Sequence, residues 1–166
     1  MLKISGGIIV IIISFLYGQS LKRSIVDKIE ITNELIKGLR ALKEEIRYSP
    51  DYLENSILKI NEFCGEKTLF FKKVYDGLKR GLSSDESWQN AADELKELDL
   101  RMFSCIKELG SVIGKSDREG QENLLTSTIL KLESIEGDQQ TELLKKGALY
   151  PKFGAVFGVL VTIILF

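Results

Sequence analysis

Two uncharged apolar segments, one at each end of the 166-residue chain, constrain its fold most strongly. Residues 4–17 read ISGGIIVIIISFLY and residues 153–166 read FGAVFGVLVTIILF. Charged side chains, which make up 28% of the residues, lie almost wholly between these two segments. This layout predicts a charged central domain held between two membrane-spanning helices.

The length of each segment sets the bounds of the predicted spans. A helix rises about 1.5 Å per residue and the hydrocarbon core is about 30 Å thick, so a span needs roughly 20 residues. Both segments reach this length only with their flanks, and Lys152 then extends its amine toward the headgroups. We expect spans at residues 1–21 and 147–166, and a central domain at residues 22–146.

Each predicted span has an alternative. The first segment could be a cleaved signal peptide, because Lys3 precedes the apolar run and Gly18-Gln19-Ser20 offers small residues near a possible cleavage point. A retained span is favoured, since helical spacing begins at Ile25 and cleavage would leave almost no N-terminal loop. The second segment could be a buried core helix, but an apolar run without a polar face at the chain end favours a span.

Basic residues flank both segments on the side of the central domain. They are Lys22, Arg23, Lys28, Lys145, Lys146 and Lys152. Because positive charge in short flanks marks the cytoplasmic side, we expect a two-pass cell-membrane protein whose central domain is cytoplasmic.

Composition excludes several classes of function. The net charge is −1, from 23 basic and 24 acidic residues, so the chain has no basic field for nucleic acid. No histidine is present, which removes the commonest general base and metal ligand. Cys64 and Cys105 lack CxxC spacing and are interpreted as reduced core thiols. We therefore expect no enzyme activity, no cofactor and no metal.

The central domain is patterned for helices. Apolar residues recur at three- and four-residue steps, and turn or cap residues divide them into five stretches: 25–49, 51–63, 66–79, 83–114 and 116–146. Pro50 ends the first stretch, and Gly81 and Gly114 end the third and fourth. The predicted fold class is all-α, an antiparallel helical bundle of about five helices flanked by N- and C-terminal transmembrane helices.

Two of these stretches begin with a capping-box pattern. Ser83 with Glu86, and Ser116 with Glu119, place a hydroxyl and a carboxylate at the spacing that satisfies free amides at a helix start. The fourth stretch continues from Ala91 in a heptad pattern that predicts one unbroken helix. Trp88, near its start, is a predicted core anchor.

Two motifs that suggest chemistry are better explained by structure. GSVIGKS at residues 110–116 is similar to a phosphate-binding loop, but it has three residues between the glycines instead of four and follows a helix instead of a strand. The carboxylates at residues 44–45 and 133–136 lack the histidines of di-iron bundles and are interpreted as solvated faces.

The apolar segments contain small residues at four-residue spacing, at Ser14 and Gly18 and at Gly154 and Gly158. Such spacing lets helix backbones approach closely in lipid. Packing between the two spans and packing with a partner's membrane helix both remain open.

The sequence resembles the stage III sporulation protein AB family over nearly its whole length. The most specific block is residues 109–121, with Leu109-Gly110, Ile113-Gly114 and SDREGQ at 116–121. LRALKEEIRYS at residues 39–49 and the closing segment at residues 145–166 also match the family pattern. The chain departs from it at Pro50, Gly120 and Gly137.

The resemblance implies a membrane protein of endospore-forming bacteria, made in the mother cell and located in the membrane that faces the forespore. It implies a platform or scaffold in a channel complex between the two cells, similar to the platform proteins of type II secretion and type IV pili. The implied partners are a secretion-type ATPase, the stage III AA protein, and the other stage III A channel proteins, besides membrane lipid. A homo-oligomer is left open.

Six polar residues are candidates for partner contact: Asp117, Arg118 and Gln121 first, then Arg40, Glu45 and Tyr48. The competing explanations are helix capping for the first three and pairing inside the bundle for the others. Two other functions remain open, a membrane-tethered helical sensor and a scaffold that oligomerises through its spans without an ATPase.

Overall fold

The computed structural model describes residues 2–48, 53–64 and 67–165. Within them the fold is all-α, as predicted, with seven α-helices, one short 3-10 helix and no strand. The helices are α1 (Leu2–Tyr48), α2 (Leu53–Phe63), α3 (Phe70–Lys79), α4 (Ser84–Ala92), the 3-10 helix (Asp93–Lys96), α5 (Leu100–Val112), α6 (Arg118–Lys146) and α7 (Leu149–Leu165).

The chain divides into two compact units. Unit 1 comprises Met1–Ile29 and Asp138–Phe166, and unit 2 comprises Glu30–Gly137. Helices α1 and α6 contribute residues to both units. The predicted domain boundaries, after residue 21 and before residue 147, stay a prediction. The two units are defined by contacts within the chain, and such contacts do not locate the edge of a bilayer.

Helices α1 and α6 run antiparallel in unit 2. Asn33 donates a hydrogen bond to Glu136 (3.2 Å), and Arg40 forms an ion pair with Glu133 (2.5 Å). Later residues of α1 thus meet earlier residues of α6. Helices α4 and α5 are also antiparallel, because Trp88 contacts Gly110 while the next residue, Gln89, donates a hydrogen bond to the carbonyl oxygen of Lys107.

Because successive helices of unit 2 alternate in direction, its loops collect at two ends. We call one the far end, which holds the C-terminus of α1, the N-terminus of α2 and the loops at residues 80–83 and 113–117. The near end holds the loops at residues 64–69 and 97–99. Candidate contact residues can therefore be placed at one end or along the sides.

Trp88 lies at the centre of unit 2, as predicted, with 0% of its surface exposed. Its ring packs edge-on against Phe70, 5.1 Å between centroids, and Phe70 packs the same way on Phe71. The indole N–H donates to the carbonyl oxygen of Ile106 (2.9 Å), so the one polar atom of the ring is satisfied. The core therefore joins α3, α4 and α5.

The prediction of one unbroken helix over residues 83–114 is wrong. Helix α4 ends at Ala92, a 3-10 turn follows, and α5 begins after Asp99, whose backbone is extended (φ −155°, ψ 118°). The Asp99 carboxylate accepts hydrogen bonds from the amides of Arg101 and Met102 and so caps a new helix. The described residues of unit 2 therefore form six α-helices where about five were predicted.

One of the two predicted capping boxes is present. Ser83 accepts from the amide of Glu86, and the Glu86 carboxylate accepts from the amide of Ser83. The box predicted at Ser116 is wrong, because α6 begins at Arg118 and the carboxylate of Asp117 accepts from the amide of Gly120 (3.1 Å). Aspartate, a strong N-cap residue, takes the cap position one residue later.

The apolar segments form helices in unit 1. One described helix, Ile9–Tyr48 within α1, is long and apolar enough to cross a membrane, and little of its apolar window is buried. This indicates membrane association. Helix α7 has 17 residues, about 26 Å at the rise of an α-helix, so the second span stays a prediction.

Candidate functional site

The loop at residues 113–117 shapes the far end of unit 2. Gly114 ends α5 with a left-handed backbone (φ 79°), a conformation that glycine adopts without strain. An added Cβ there would lie 3.7 Å from Ser84 Oγ and 3.9 Å from Leu53 Cδ2. The loop therefore rests on the first residues of α2 and α4.

The side chain of Gln121, in α6, forms hydrogen bonds with the backbone of the 113–117 loop. Its Nε2 donates to the carbonyl oxygen of Ser116 (2.8 Å), and its Oε1 accepts from the amide of Gly114 (3.3 Å). Both the donor nitrogen and the acceptor oxygen of the side-chain amide thus have partners within the chain. Gln121 holds the loop in place instead of presenting a free polar group.

Asp117 and Arg118 stand at the start of α6, and both are exposed. The carboxylate of Asp117 is engaged as the helix cap. Arg118 is the first helical residue, so its backbone direction is fixed by the capped turn. Of the three first-rank candidates, Arg118 is therefore the one whose charged side chain extends from an ordered backbone at the far end.

The second-rank candidates divide into two kinds. Arg40 pairs with Glu133, and Glu45 accepts from Lys59 (3.0 Å), so both are engaged on the sides of unit 2. Tyr48, the last residue of α1, is 74% exposed. The structure thus puts Tyr48 at the same end as Arg118 and leaves Arg40 and Glu45 in contacts within the unit.

Sequence reasoning missed Lys115. Its Nζ lies 2.8 Å from a carboxylate oxygen of Asp85 and ties the 113–117 loop to the first turn of α4. This hydrogen bond is the main cause that lowers the pKa of the Asp85 carboxyl. The partners are 30 residues apart, and the only sequence signal was an acidic residue in a helix's first turn.

The cysteines lie against the core as free thiols, both half-buried. Burial, followed by the nearby charge of Glu34, raises the pKa of Cys64 to about 11, and burial also raises the pKa of Cys105. Thiolates are therefore disfavoured at neutral pH, which fits packing better than reactivity. In the described part of the chain, no cluster of three or more acidic or cysteine side chains could hold a metal ion.

The small residues of the apolar segments are positioned within unit 1. A Cβ added to Gly18 would lie 2.8 Å from the carbonyl carbon of Tyr150, and one added to Gly154 would lie 3.0 Å from that of Ser14. These distances are too short for a side chain, so α1 and α7 meet backbone to backbone here. The surroundings of Gly158 lie outside the described residues.

Comparison with known proteins identifies the family. The sequence matches the family model for stage III sporulation protein AB over residues 3–166. The chain belongs to the stage III sporulation protein AB family. Stage III sporulation protein AB of Bacillus subtilis (strain 168) is 21% identical over 170 residues, which cover 99% of each chain.

A solved structure supports the fold. A chain described as stage III sporulation protein AB superimposes with a TM-score of 0.58 at 21% identity. The match covers 72% of the present chain and 93% of the solved one. Membership in the stage III sporulation protein AB family assigns the chain a role in sporulation, and this is not a known enzyme family.

Proposed function

We propose that the chain is a non-enzymatic membrane platform in the channel complex between mother cell and forespore. In this role it couples a secretion-type ATPase, the stage III AA protein, to the membrane assembly that contains the other stage III A proteins. Family membership supports the sporulation role. The ATPase contact is supported by the arrangement of the far end.

Membrane anchoring is supported by unit 1. The apolar part of α1 and the whole of α7 are uncharged apart from Lys152 and the flanking residues. Backbone contact at Gly18 and Gly154 is typical of helices that pair in lipid, where small residues let backbones approach. The basic flanks favour a cytoplasmic position for unit 2.

One observation carries the contact proposal. Gln121 and the Lys115–Asp85 pair hold the 113–117 loop, while Arg118 and Tyr48 remain exposed at the same end of unit 2. A preordered surface loses less conformational entropy on binding than a mobile one. Arginine and tyrosine are also enriched at the centres of protein interfaces.

Charge reversal at the far end tests the proposal. The proposed contact pairs the Arg118 cation with an acidic group of the stage III AA ATPase. Arg118→Glu should therefore weaken binding by about tenfold or more, because like charges placed together at an interface cost several kcal/mol. Spore counts should fall with it. The matched control is Lys96→Glu, an exposed lysine at the opposite end of unit 2.

Circular dichroism should show that both variants fold like the natural chain. Equal ATPase binding by the natural chain, Arg118→Glu and Lys96→Glu would refute contact at the far end. Binding lost in both variants would point to a general charge effect instead of a site.

A further inference from the structure

Unit 1 contains an apolar groove between α1 and α7, with a volume of about 680 Å³. Apart from Ser14 and two glycines, the residues that line it carry aliphatic or aromatic side chains, and the principal ones are Ile13, Tyr17, Leu21, Phe153, Phe157 and Leu160. Most of them are exposed in the single chain. A groove of this kind in a membrane must be filled by lipid or by another helix.

One end of the groove is basic. Gly18 meets Tyr150 across the helix pair, and Ser14 meets Gly154, so α1 and α7 are antiparallel there. One helical turn past Gly18 along α1 is Lys22, and four residues before Tyr150 is Lys146. Both lysines are exposed.

Lys146 is the last residue of α6 and precedes the turn that leads into α7. Its amine pairs with the Glu142 carboxylate (2.9 Å), which is the main cause that raises the pKa of Lys146. Tyr150 adds to that rise. Tyr150 itself lines the groove, so Lys146 lies within four residues of the groove lining, at the end where Tyr150 meets Gly18.

The groove is thus amphiphilic along its length. Tyr17 and Tyr150 line it near the basic end, and tyrosine is enriched at the headgroup level of membranes. Toward Leu160 the lining is wholly apolar. A phospholipid has this same profile, with an anionic headgroup at one end and acyl chains at the other.

We propose that the groove binds an anionic phospholipid, with an acyl chain along Phe153 and Phe157 and the headgroup phosphate between Lys22 and Lys146. This inference rests on the membrane anchoring in the proposed function. The positive charge of Lys22 and Lys146 favours an anionic lipid over a second copy of the chain as the occupant of the groove. A copy inserted in the same orientation would bring its own Lys22 and Lys146 to the same depth and add like charge.

Spin-labelled lipids test the headgroup contact. The full chain is reconstituted in vesicles, and electron paramagnetic resonance measures the motionally restricted fraction of labelled phosphatidylglycerol and of labelled phosphatidylcholine. Each cation near an anionic headgroup contributes about fivefold, so the preference for phosphatidylglycerol should fall about 25-fold when both lysines are removed in Lys22→Gln/Lys146→Gln. Lys72→Gln/Lys96→Gln removes the same charge from exposed sites in unit 2 and should keep the preference.

Filling the groove tests the acyl contact. Val156→Trp places a large ring in the groove and should lower the restricted fraction of both lipids, whereas Val159→Trp, which is exposed beside it, should not. Equal headgroup preference in all charge variants would overturn the proposal. So would efficient dimer cross-linking through Phe157→Cys in a Cys64→Ser, Cys105→Ser chain, because the groove would then be a protein interface.

An alkaline carbonate wash separates this inference from the membrane anchoring beneath it. Release of the chain from vesicles would refute the anchoring and, with it, both proposals. A chain that resists the wash but shows no preference for phosphatidylglycerol would overturn the lipid site alone.

Discussion

Trp88 can occupy the centre of unit 2 because residue 110 is a glycine. An added Cβ at Gly110 would lie 2.6 Å from Trp88 Cγ, well inside van der Waals contact. Gly137 in α6 presents the opposite case, since an added Cβ there would meet no described atom within 4 Å apart from its chain neighbours and the nearby backbone of α6. The same substitution at these two glycines should therefore have opposite effects.

Gly110→Ala should lower the free energy of unfolding by about 1–3 kcal/mol, because the methyl group overpacks the core against Trp88. Gly137→Ala should raise it by about 0.5–1 kcal/mol, because alanine restricts the unfolded chain and favours the helix. Chemical denaturation of the full chain in detergent, followed by circular dichroism, measures both. A shift of the same sign in both variants would contradict the packing at Gly110.

Asp99 makes the start of α5 sensitive to acid. Burial acts to raise the pKa of its carboxyl, but hydrogen bonds from Arg101 and Met102 and the Arg101 charge lower it overall. The folded pKa is therefore below the unfolded one. The ionised cap stabilises the fold above the unfolded pKa, and this contribution is lost as the pH falls through the lowered folded value.

Asp99→Ala should lower the free energy of unfolding at neutral pH by about 1 kcal/mol, the usual cost of losing a helix cap. The difference from the natural chain should shrink as the pH falls below the ordinary aspartate range. Asp93→Ala, at an exposed carboxylate in the first position of the 3-10 helix, is the control and should change stability little. A difference that persists unchanged in acid would show that the cap acts without its charge.

At the scale of elements, the sequence predicted helices whose ends carry a strong local signal. Helix α1 ends before Pro50, α3 before the left-handed Gly81, and α6 before Gly147. The division between α4 and α5 was missed, because residues 93–99 contain neither glycine nor proline. The apolar spacing continues across the break, since Leu95 is buried inside the 3-10 turn itself.

The loop between α5 and α6 should open more often when its hydrogen bonds with the Gln121 side chain are removed. Gln121→Ala deletes the hydrogen bonds to Gly114 and Ser116 and should cost about 1 kcal/mol of local stability. Hydrogen–deuterium exchange of residues 113–117 should speed up, while Asn123→Ala, exposed on the same helix, leaves it unchanged. Unchanged exchange in Gln121→Ala would show that the loop is held by other contacts.

At the scale of the whole molecule, the sequence pattern gave the family and the all-α class but could not sort the candidate residues. Arg40 and Arg118 are alike in sequence, each a basic residue on a helix. Arg40 meets Glu133, 93 residues away, and only the fold brings that partner to it. Both arginines are exposed, so Arg118 is distinguished by its position, as the first residue of α6 at the far end of unit 2.

Membrane topology tests the platform role most directly, because a cytoplasmic ATPase can reach unit 2 only from the cytoplasm. The measurement uses Lys72→Cys, an exposed position in α3, in a Cys64→Ser, Cys105→Ser chain, with a membrane-impermeant thiol reagent. The platform role predicts protection in intact cells and labelling after lysis. Labelling in intact cells would place unit 2 outside and contradict the coupling of a cytoplasmic ATPase.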